Sequence, residues 1–476
     1  MPEAVKPKAV LVAVKLPEVH EEEHASSVLE LQRLVTTLGY RVVGTVIQSR
    51  THLAPAAVIG EGKLLDLAAL TGGTGHVGTT APKKRDKARL RREEGESHDD
   101  ARDQDERDER DEDPEHDGAS DEGDDDAAPL GEDGEPKKLV DLVAVDHDLS
   151  PSQARNLERA TGVPVLDRTG VIIEIFHRHA KSREARLQVE IARLAYTAPR
   201  LRESPTGKER QRGRGAGEAA LELDRRKVRD RIAELREELA AIQRDQGVRR
   251  AHRREARRVA LVGYTNAGKS SLMRALTGSD VYVEDKLFAT LDTTVRALHP
   301  EAKPRILVSD TVGFIKKLPH DLVASFKSTL DEALEASLLL HVVDASDAGW
   351  EAQHEVTREV LAEIGADEVP TRLVMNKIDR IDPDALAHLK SRFPDAWWIS
   401  AHDPADVAKV RTRIITFFEE SYETAELVVP YDRQRVVSEM HEVGRVDEER
   451  YEPEGVHVRF RAEPETLARI RAKLPS

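Results

Sequence analysis

The chain has 476 residues, with 73 Lys and Arg, 89 Asp and Glu, a formal net charge of −16 and no cysteine. That length exceeds one hydrophobic core and points to about three domains, while the lack of cysteine excludes a disulfide framework and thiolate metal ligation. No apolar run reaches the ~18 residues of a membrane span, and the N-terminus does not read as a signal peptide, so a soluble cytoplasmic protein is expected.

Strand signals at 10–14 and 40–46 flank a helix at 26–38. Composition then changes abruptly. Residues 71–136 carry Gly, Asp, Glu and Arg with almost no aliphatic side chains, too little apolar surface to offset the entropy of ordering. They read as a disordered acidic insertion, in which residues 93–135 hold 23 acidic and 3 basic residues. A strand at 139–145, a helix around 152–161 and a strand at 163–166 complete an α/β domain over 1–175. Residues 177–258 hold 24 basic and 13 acidic residues, so the insertion masks a basic middle. Helical spacing dominates 176–201 (Leu187, Ile191, Leu194), and a second helix at 218–244 carries the stripe Leu221, Val228, Ile232, Leu235 and Leu239. Joined by the Gly- and Arg-rich stretch 204–217, the two helices predict an antiparallel hairpin over 176–256. Its charge suits a polyanionic partner, with a solvated helix face as the plain alternative.

Residues 263–270, Gly-Tyr-Thr-Asn-Ala-Gly-Lys-Ser, fit the phosphate-loop pattern and follow an apolar run, 259–262, that reads as a buried strand. In that context the N–H groups from Gly263 through Tyr264, Thr265, Asn266, Ala267 and Gly268 cradle phosphates. Lys269 reaches the β- and γ-phosphates, and Ser270 offers a hydroxyl to Mg²⁺, with Ser271 next in the binding set. Asp310-Thr311-Val312-Gly313 ends a second apolar strand (306–308), and Asn376-Lys377-Ile378-Asp379 ends another (373–375). Three motifs in the right order, each at a strand end, predict a guanine-nucleotide site.

Asp379 is the specificity determinant, because its carboxylate accepts from guanine N1–H and the exocyclic amine, a donor pair adenine lacks. Asn376 and Lys377 tie this loop to the phosphate loop and cover the base. Ser400-Ala401-His402, after a strand at 396–399, is placed to offer a backbone N–H to the guanine oxygen. Asp310 is expected to hold Mg²⁺ through water, and the Gly313 N–H to sense the γ-phosphate. A switch threonine is needed between Ser270 and Asp310. Phe288-Ala289-Thr290-Leu291-Asp292 supplies Thr290, with Thr293 and Thr294 as rivals and Thr294 expected to start the next strand.

Position 314 is Phe, where many regulatory GTPases carry a glutamine that orients the attacking water. Either another group positions the water, or hydrolysis waits on a partner, or Phe314 simply packs on the sheet. Asn266 could place its carbonyl beside a monovalent cation at the α- and γ-phosphates, which makes K⁺ a candidate cofactor. A loop-stabilising Asn is the rival reading. The GTPase domain is expected over 257–420, and a small strand–helix–strand unit over 425–476. The fold class is thus α/β: a P-loop GTPase domain with a mostly parallel sheet and helices on both faces. To it are added an N-terminal α/β domain with a helical hairpin and a small C-terminal α+β unit.

The residues resemble one family closely, the HflX GTPases, relatives of the Obg proteins. The resemblance rests on Ile59-Gly60-Glu61-Gly62-Lys63, on Leu149-Ser150-Pro151-Ser152-Gln153 with Asn156-Leu157-Glu158, and on Val165-Leu166-Asp167-Arg168-Thr169. It continues through Gln188-Val189-Glu190-Ile191-Ala192 with Pro199-Arg200-Leu201, and Gly215-Ala216-Gly217-Glu218 with Leu221-Glu222-Leu223-Asp224-Arg225-Arg226. Leu287 to Asp292 and Asp310 to Ile315 complete it, so nearly all but the acidic insertion is covered. The resemblance implies a GTPase bound to the large (50S) ribosomal subunit, its N-terminal domain and hairpin facing ribosomal RNA. Some members of the family split or rescue stalled ribosomes.

Arg212 and Arg214 in the loop, and Arg225 and Arg226 on the second helix, are then the RNA-contact candidates, since Lys and Arg supply sequence-independent affinity for phosphates. Two departures stand out: Thr293 replaces the usual proline after Asp292, and the insertion is foreign to the family core. The expected activity is Mg²⁺-dependent hydrolysis of GTP to GDP and phosphate in translation, ribosome splitting, rescue or biogenesis. Lys269, Thr290 and Gly313 form the catalytic set of a monomer with no membrane partner. The alternative is a GTP-gated adaptor with negligible hydrolysis that recruits a non-ribosomal RNA or protein. A separate nucleotide chemistry at Gly60-Glu61-Gly62-Lys63 competes with simple glycine packing.

Overall fold

The computed structural model describes residues 6–77, 139–201, 216–251, 257–278, 287–288, 294–316 and 327–474. Most of the acidic insertion, the loop holding Arg212 and Arg214, and residues Ala289, Thr290, Leu291 and Asp292 lie outside them.

The N-terminal unit is a parallel sheet of β1 (Lys8–Lys15), β2 (Arg41–Ser49), β3 (Leu142–Val145) and β4 (Val165–Asp167), in the order β2-β1-β3-β4. Six consecutive residues of β1 are buried, as a strand covered on both faces requires. On one face Leu11 packs with α1 (Glu21–Thr37); on the other Val10 and Val12 pack with α2 (Glu61–Thr71) and α3 (Pro151–Thr161). Helix α1 begins at Glu21 rather than at 26. Its first turn is three glutamates, which hydrophobic periodicity does not register but which suit the positive end of the helix dipole. Ordered chain also continues beyond 71, correcting the start of the insertion: the Gly75 amide donates to Ala160 O (2.9 Å), and a Cβ on Gly73 would meet that carbonyl at 2.1 Å. Gly60 caps α2 and donates its amide to Gln48 Oε1 (2.8 Å), a packing role for the glycine signature.

The stretch read as one helix is two, α4 (Arg168–His179) and α5 (Arg183–Thr197). The Ser182 side chain accepts from the Ala185 amide and so restarts the helix. Leu187 and Ile191 of α5 pack on Leu235 of α6 (Ala216–Ala251), with Ile232 and Leu239 partly buried beside it.

The third unit is a sheet ordered β10-β9-β8-β5-β7-β6, built from β5 (Arg257–Val262), β6 (Thr294–Ala297), β7 (Ile306–Asp310), β8 (Leu338–Asp344), β9 (Thr371–Asn376) and β10 (Trp397–Trp398). All neighbours are parallel except β6 on β7. Thr294 opens β6, as expected from the sequence. Helices α7 (Lys269–Thr277), α8 (Lys327–Leu334), α9 (Trp350–Glu363), α10 (Pro383–Arg392) and α11 (Pro404–Glu419) flank it, and its carboxyl edge is where such sheets bind ligands.

The C-terminal unit is richer than strand–helix–strand. Strands β11 (Glu423–Val429), β12 (Arg445–Glu452) and β13 (Gly455–Ala462) form an antiparallel sheet with α12 (Arg435–Val443) and α13 (Pro464–Arg471). Strand β12 escapes a hydrophobic pattern because it is largely charged, and Arg445 pairs with Glu419 of α11 (2.8 Å). Among the described residues no helix is long and apolar enough to cross a membrane.

The N-terminal and GTPase units share a core. Tyr264, Leu287, Phe288, Val312 and Ile315 belong to the same buried cluster as Leu34, Ile172 and Phe176, and Phe288 meets Phe176 edge-on (4.6 Å between centroids).

Candidate nucleotide-binding site

Three loops leave the carboxyl ends of β5, β7 and β9 and meet at one mouth. The phosphate loop turns off β5 and enters α7 through Gly268, whose φ of +95° lies in the region that favours glycine. Lys269 is buried and donates to the carbonyls of Gly263 (3.0 Å) and Tyr264 (2.8 Å). Ser270 Oγ, in the first turn of α7, donates to Asp310 Oδ2 (2.7 Å) at the end of β7, which brings the two metal candidates together. Hard oxygens in that arrangement are the donors Mg²⁺ takes.

The loop after β9 is braced directly on the phosphate loop. Asn376 Nδ2 donates to Ala267 O (2.9 Å), its Oδ1 accepts from the Ala401 amide (3.0 Å), and Lys377 Nζ reaches both Asn266 O (2.7 Å) and Asp344 Oδ2 (2.6 Å). Asp379 stands exposed beyond them, and the Ser400 hydroxyl holds its carboxyl below the usual carboxylate range. Of the three amides at 400–402, Ser400 is engaged by Asp406 Oδ2 (3.0 Å) and Ala401 by Asn376. His402 has the weakest partner, Ser400 Oγ at 3.4 Å.

Several residues from the motifs have structural work. Thr311 Oγ1 donates to Leu261 O (2.7 Å), and Val312 is buried in the shared core. Phe314 packs with Ala260, Val262 and Leu339, while its backbone bridges the phosphate loop: its amide donates to Gly263 O (3.1 Å) and its carbonyl accepts from the Thr265 amide (2.8 Å). Phe288, at φ +57°, donates its amide to Thr265 Oγ1 (3.0 Å). Asn266, at φ +62°, occupies a left-handed position that Asn tolerates better than most residues, so loop geometry alone is a reason for it. Asp344, missed in the sequence, is the partner of Lys377; its signal was an acidic residue closing the apolar run of β8.

Burial pushes the Lys269 ammonium down to about 8, against the opposing pull of Asp310. Phosphate oxygens beside it favour the charged form, so nucleotide affinity is full below pH 8 and lost above it as the free protein gives up the proton. GDP should bind roughly tenfold more weakly at pH 9 than at pH 7. Equal affinity at the two pH values, measured by titration calorimetry, contradicts this.

Family models match most of the chain. Residues 25–77 and 133–177 match "GTP-binding GTPase N-terminal", 179–253 match "GTP-binding GTPase Middle Region", and 258–377 match "50S ribosome-binding GTPase". A GTPase HflX of Gluconacetobacter diazotrophicus is 58% identical over 468 residues, 98% of each chain. The chain belongs to the HflX GTPase family. The HflX of Escherichia coli K12 is 42% identical over 327 residues, 66% of this chain and 76% of its own length. A solved GTP-binding protein of Sulfolobus solfataricus in complex with GDP aligns over 86% of this chain and 99% of its own, with a TM-score of 0.40 and 22% identity. As an HflX protein the chain is a GTP-binding P-loop GTPase, and the mouth formed by β5, β7 and β9 is where its motifs converge.

Proposed function

We propose that this HflX GTPase binds GTP between the phosphate loop and Asp379 and hydrolyses it on the large ribosomal subunit. The observation that carries the site is the brace of Asn376 and Lys377 on the phosphate loop, which fixes the base reader relative to the phosphate cradle. In this reading Asp379 accepts from the guanine edge, and the His402 amide is the donor recruited by the guanine oxygen at least cost. Lys269 and the Gly313 amide meet the γ-phosphate. Ser270, Asp310 through water and Thr290 would hold Mg²⁺, which when bound neutralises charge on the phosphate oxygens. With Phe314 packed inside, no side-chain amide at that position orients water. Intrinsic turnover is therefore slow, which also keeps the GTP-gated adaptor in view.

A K⁺ ion at Asn266 would add charge neutralisation, and turnover in KCl should then exceed that in NaCl several-fold; equal rates rule the ion out. The ribosomal partner is supported by the match to a family described as 50S ribosome-binding and by the basic middle region. Arg225 and Arg226 are exposed on α6. Replacing both with Glu should weaken large-subunit binding and lower the slope of log affinity against log salt by about 1–2. Sedimentation with the subunit at several salt concentrations reads this, and unchanged binding refutes the role of α6.

A further inference from the structure

One hydroxyl joins the phosphate loop, the segment after Gly313 and the N-terminal domain. Tyr264 Oη accepts from the Lys316 amide (2.7 Å) and donates to Glu30 Oε1 on α1. The other Glu30 oxygen takes Arg168 Nη2, and Arg168, almost wholly buried, continues to Asp146 Oδ1 (2.7 Å) and Ser27 Oγ (3.2 Å). Ser27 in turn donates to Asp146 Oδ2 (2.7 Å). Burial and the adjacent Glu30 carboxylate push the Tyr264 phenol well above its usual range, so it remains a donor. Such a buried ionic chain is a costly way to join two domains if adhesion alone is needed, because apolar packing does that with no desolvation penalty. The shared apolar cluster is already there.

The segment that this hydroxyl holds is the one facing the γ-phosphate position. A Cβ on Gly313 would meet Thr265 Cα at 2.7 Å and Lys269 Nζ at 3.0 Å, so Gly313 lies wedged against the lysine. Phe314, next along, is bonded to the phosphate loop through its backbone, and Lys316 is held by Tyr264. We propose that Glu30 is a positioning residue of the GTPase: by fixing the Tyr264 hydroxyl, it holds the Gly313–Lys316 segment on the phosphate loop with the Gly313 amide in reach of the γ-phosphate. The N-terminal domain thereby takes part in the reaction without touching nucleotide. This rests on Gly313 as the γ-phosphate sensor. A preorganised donor acts on the transition state more than on ground-state binding, so the effect belongs in kcat.

The test uses the full chain with Tyr264→Phe, Glu30→Ala and Glu30→Gln, reading steady-state GTP turnover, GDP affinity and Tm. Tyr264→Phe and Glu30→Ala should lower kcat by at least about tenfold with KM within about twofold. Glu30→Gln keeps an oxygen to accept from Tyr264 but loses the charge that pairs with Arg168. It should restore kcat while its Tm still falls, a split that a purely structural Glu30 would not produce. If Glu30→Ala does not fold, Tyr264→Phe still decides the matter, since it removes one hydroxyl and keeps the packed ring. Wild-type or raised kcat in Tyr264→Phe overturns the proposal, as does a Glu30→Gln protein as slow as Glu30→Ala. Absence of turnover in the wild-type chain, with or without large ribosomal subunits, overturns the proposed hydrolysis itself and the positioning role with it, so the two failures are distinguishable.

Discussion

Asp379→Asn should abolish tight GTP binding and create affinity for xanthosine triphosphate. The carboxylate offers two acceptors to guanine, N1–H and the exocyclic amine. Asparagine keeps one acceptor and turns an NH₂ towards the other donor. Each buried donor left unpaired costs about 1–3 kcal/mol, so GTP affinity should drop roughly 100-fold or more. Xanthine carries a carbonyl where guanine carries the amine, and the NH₂ of the introduced side chain can donate to it. Because Asp379 is exposed in the free protein, the melting temperature should stay within a degree or two. Competition between GTP and xanthosine triphosphate for a fluorescent nucleotide measures the switch. Retained preference for GTP would mean that the base sits elsewhere.

Gly268→Ala should be nearly as severe, for a geometric reason. At φ +95° an alanine carries a left-handed penalty of about 1–2 kcal/mol. Its Cβ would also meet Asn376 Nδ2 at 2.2 Å. Relief of that contact displaces Asn376 from both Ala267 O and the Ala401 amide, so the base loop loses its brace on the phosphate loop. GDP affinity should fall by about 100-fold or more, given two bonds near 1 kcal/mol each plus the misplaced base reader. Gly39→Ala is the matched control, with φ +89° and no neighbour within 4 Å of its Cβ position. It should lower Tm and leave GDP affinity unchanged. Equal GDP affinity in Gly268→Ala and wild type would remove the brace from the account.

The nucleotide loops were legible in the sequence because each is short, stands at a strand end and demands particular residues at fixed spacing. Gly268, Lys269 and Asn376 could be singled out without coordinates for that reason, and the fold brings them to one mouth. The joint between domains was not legible, since Glu30 and Tyr264 lie 234 positions apart and no periodicity relates them. Phe314 shows the boundary between the two cases: the lack of an amide is plain in the sequence, but only the packing with Ala260, Val262 and Leu339 shows where the ring goes. Strand β12 was invisible for a third reason, because its charged side chains are partnered laterally, as Arg450 is by Glu448 (2.6 Å), rather than buried.

GTP turnover in KCl buffer, with and without purified large ribosomal subunits, tests the central claim most directly. Slow intrinsic turnover that rises strongly with the subunits is the predicted result, because with Phe314 packed inward the proposed site has no side-chain amide at that position to orient water. No rise, with tight GTP binding intact, would contradict the ribosomal reading and favour a GTP-gated adaptor.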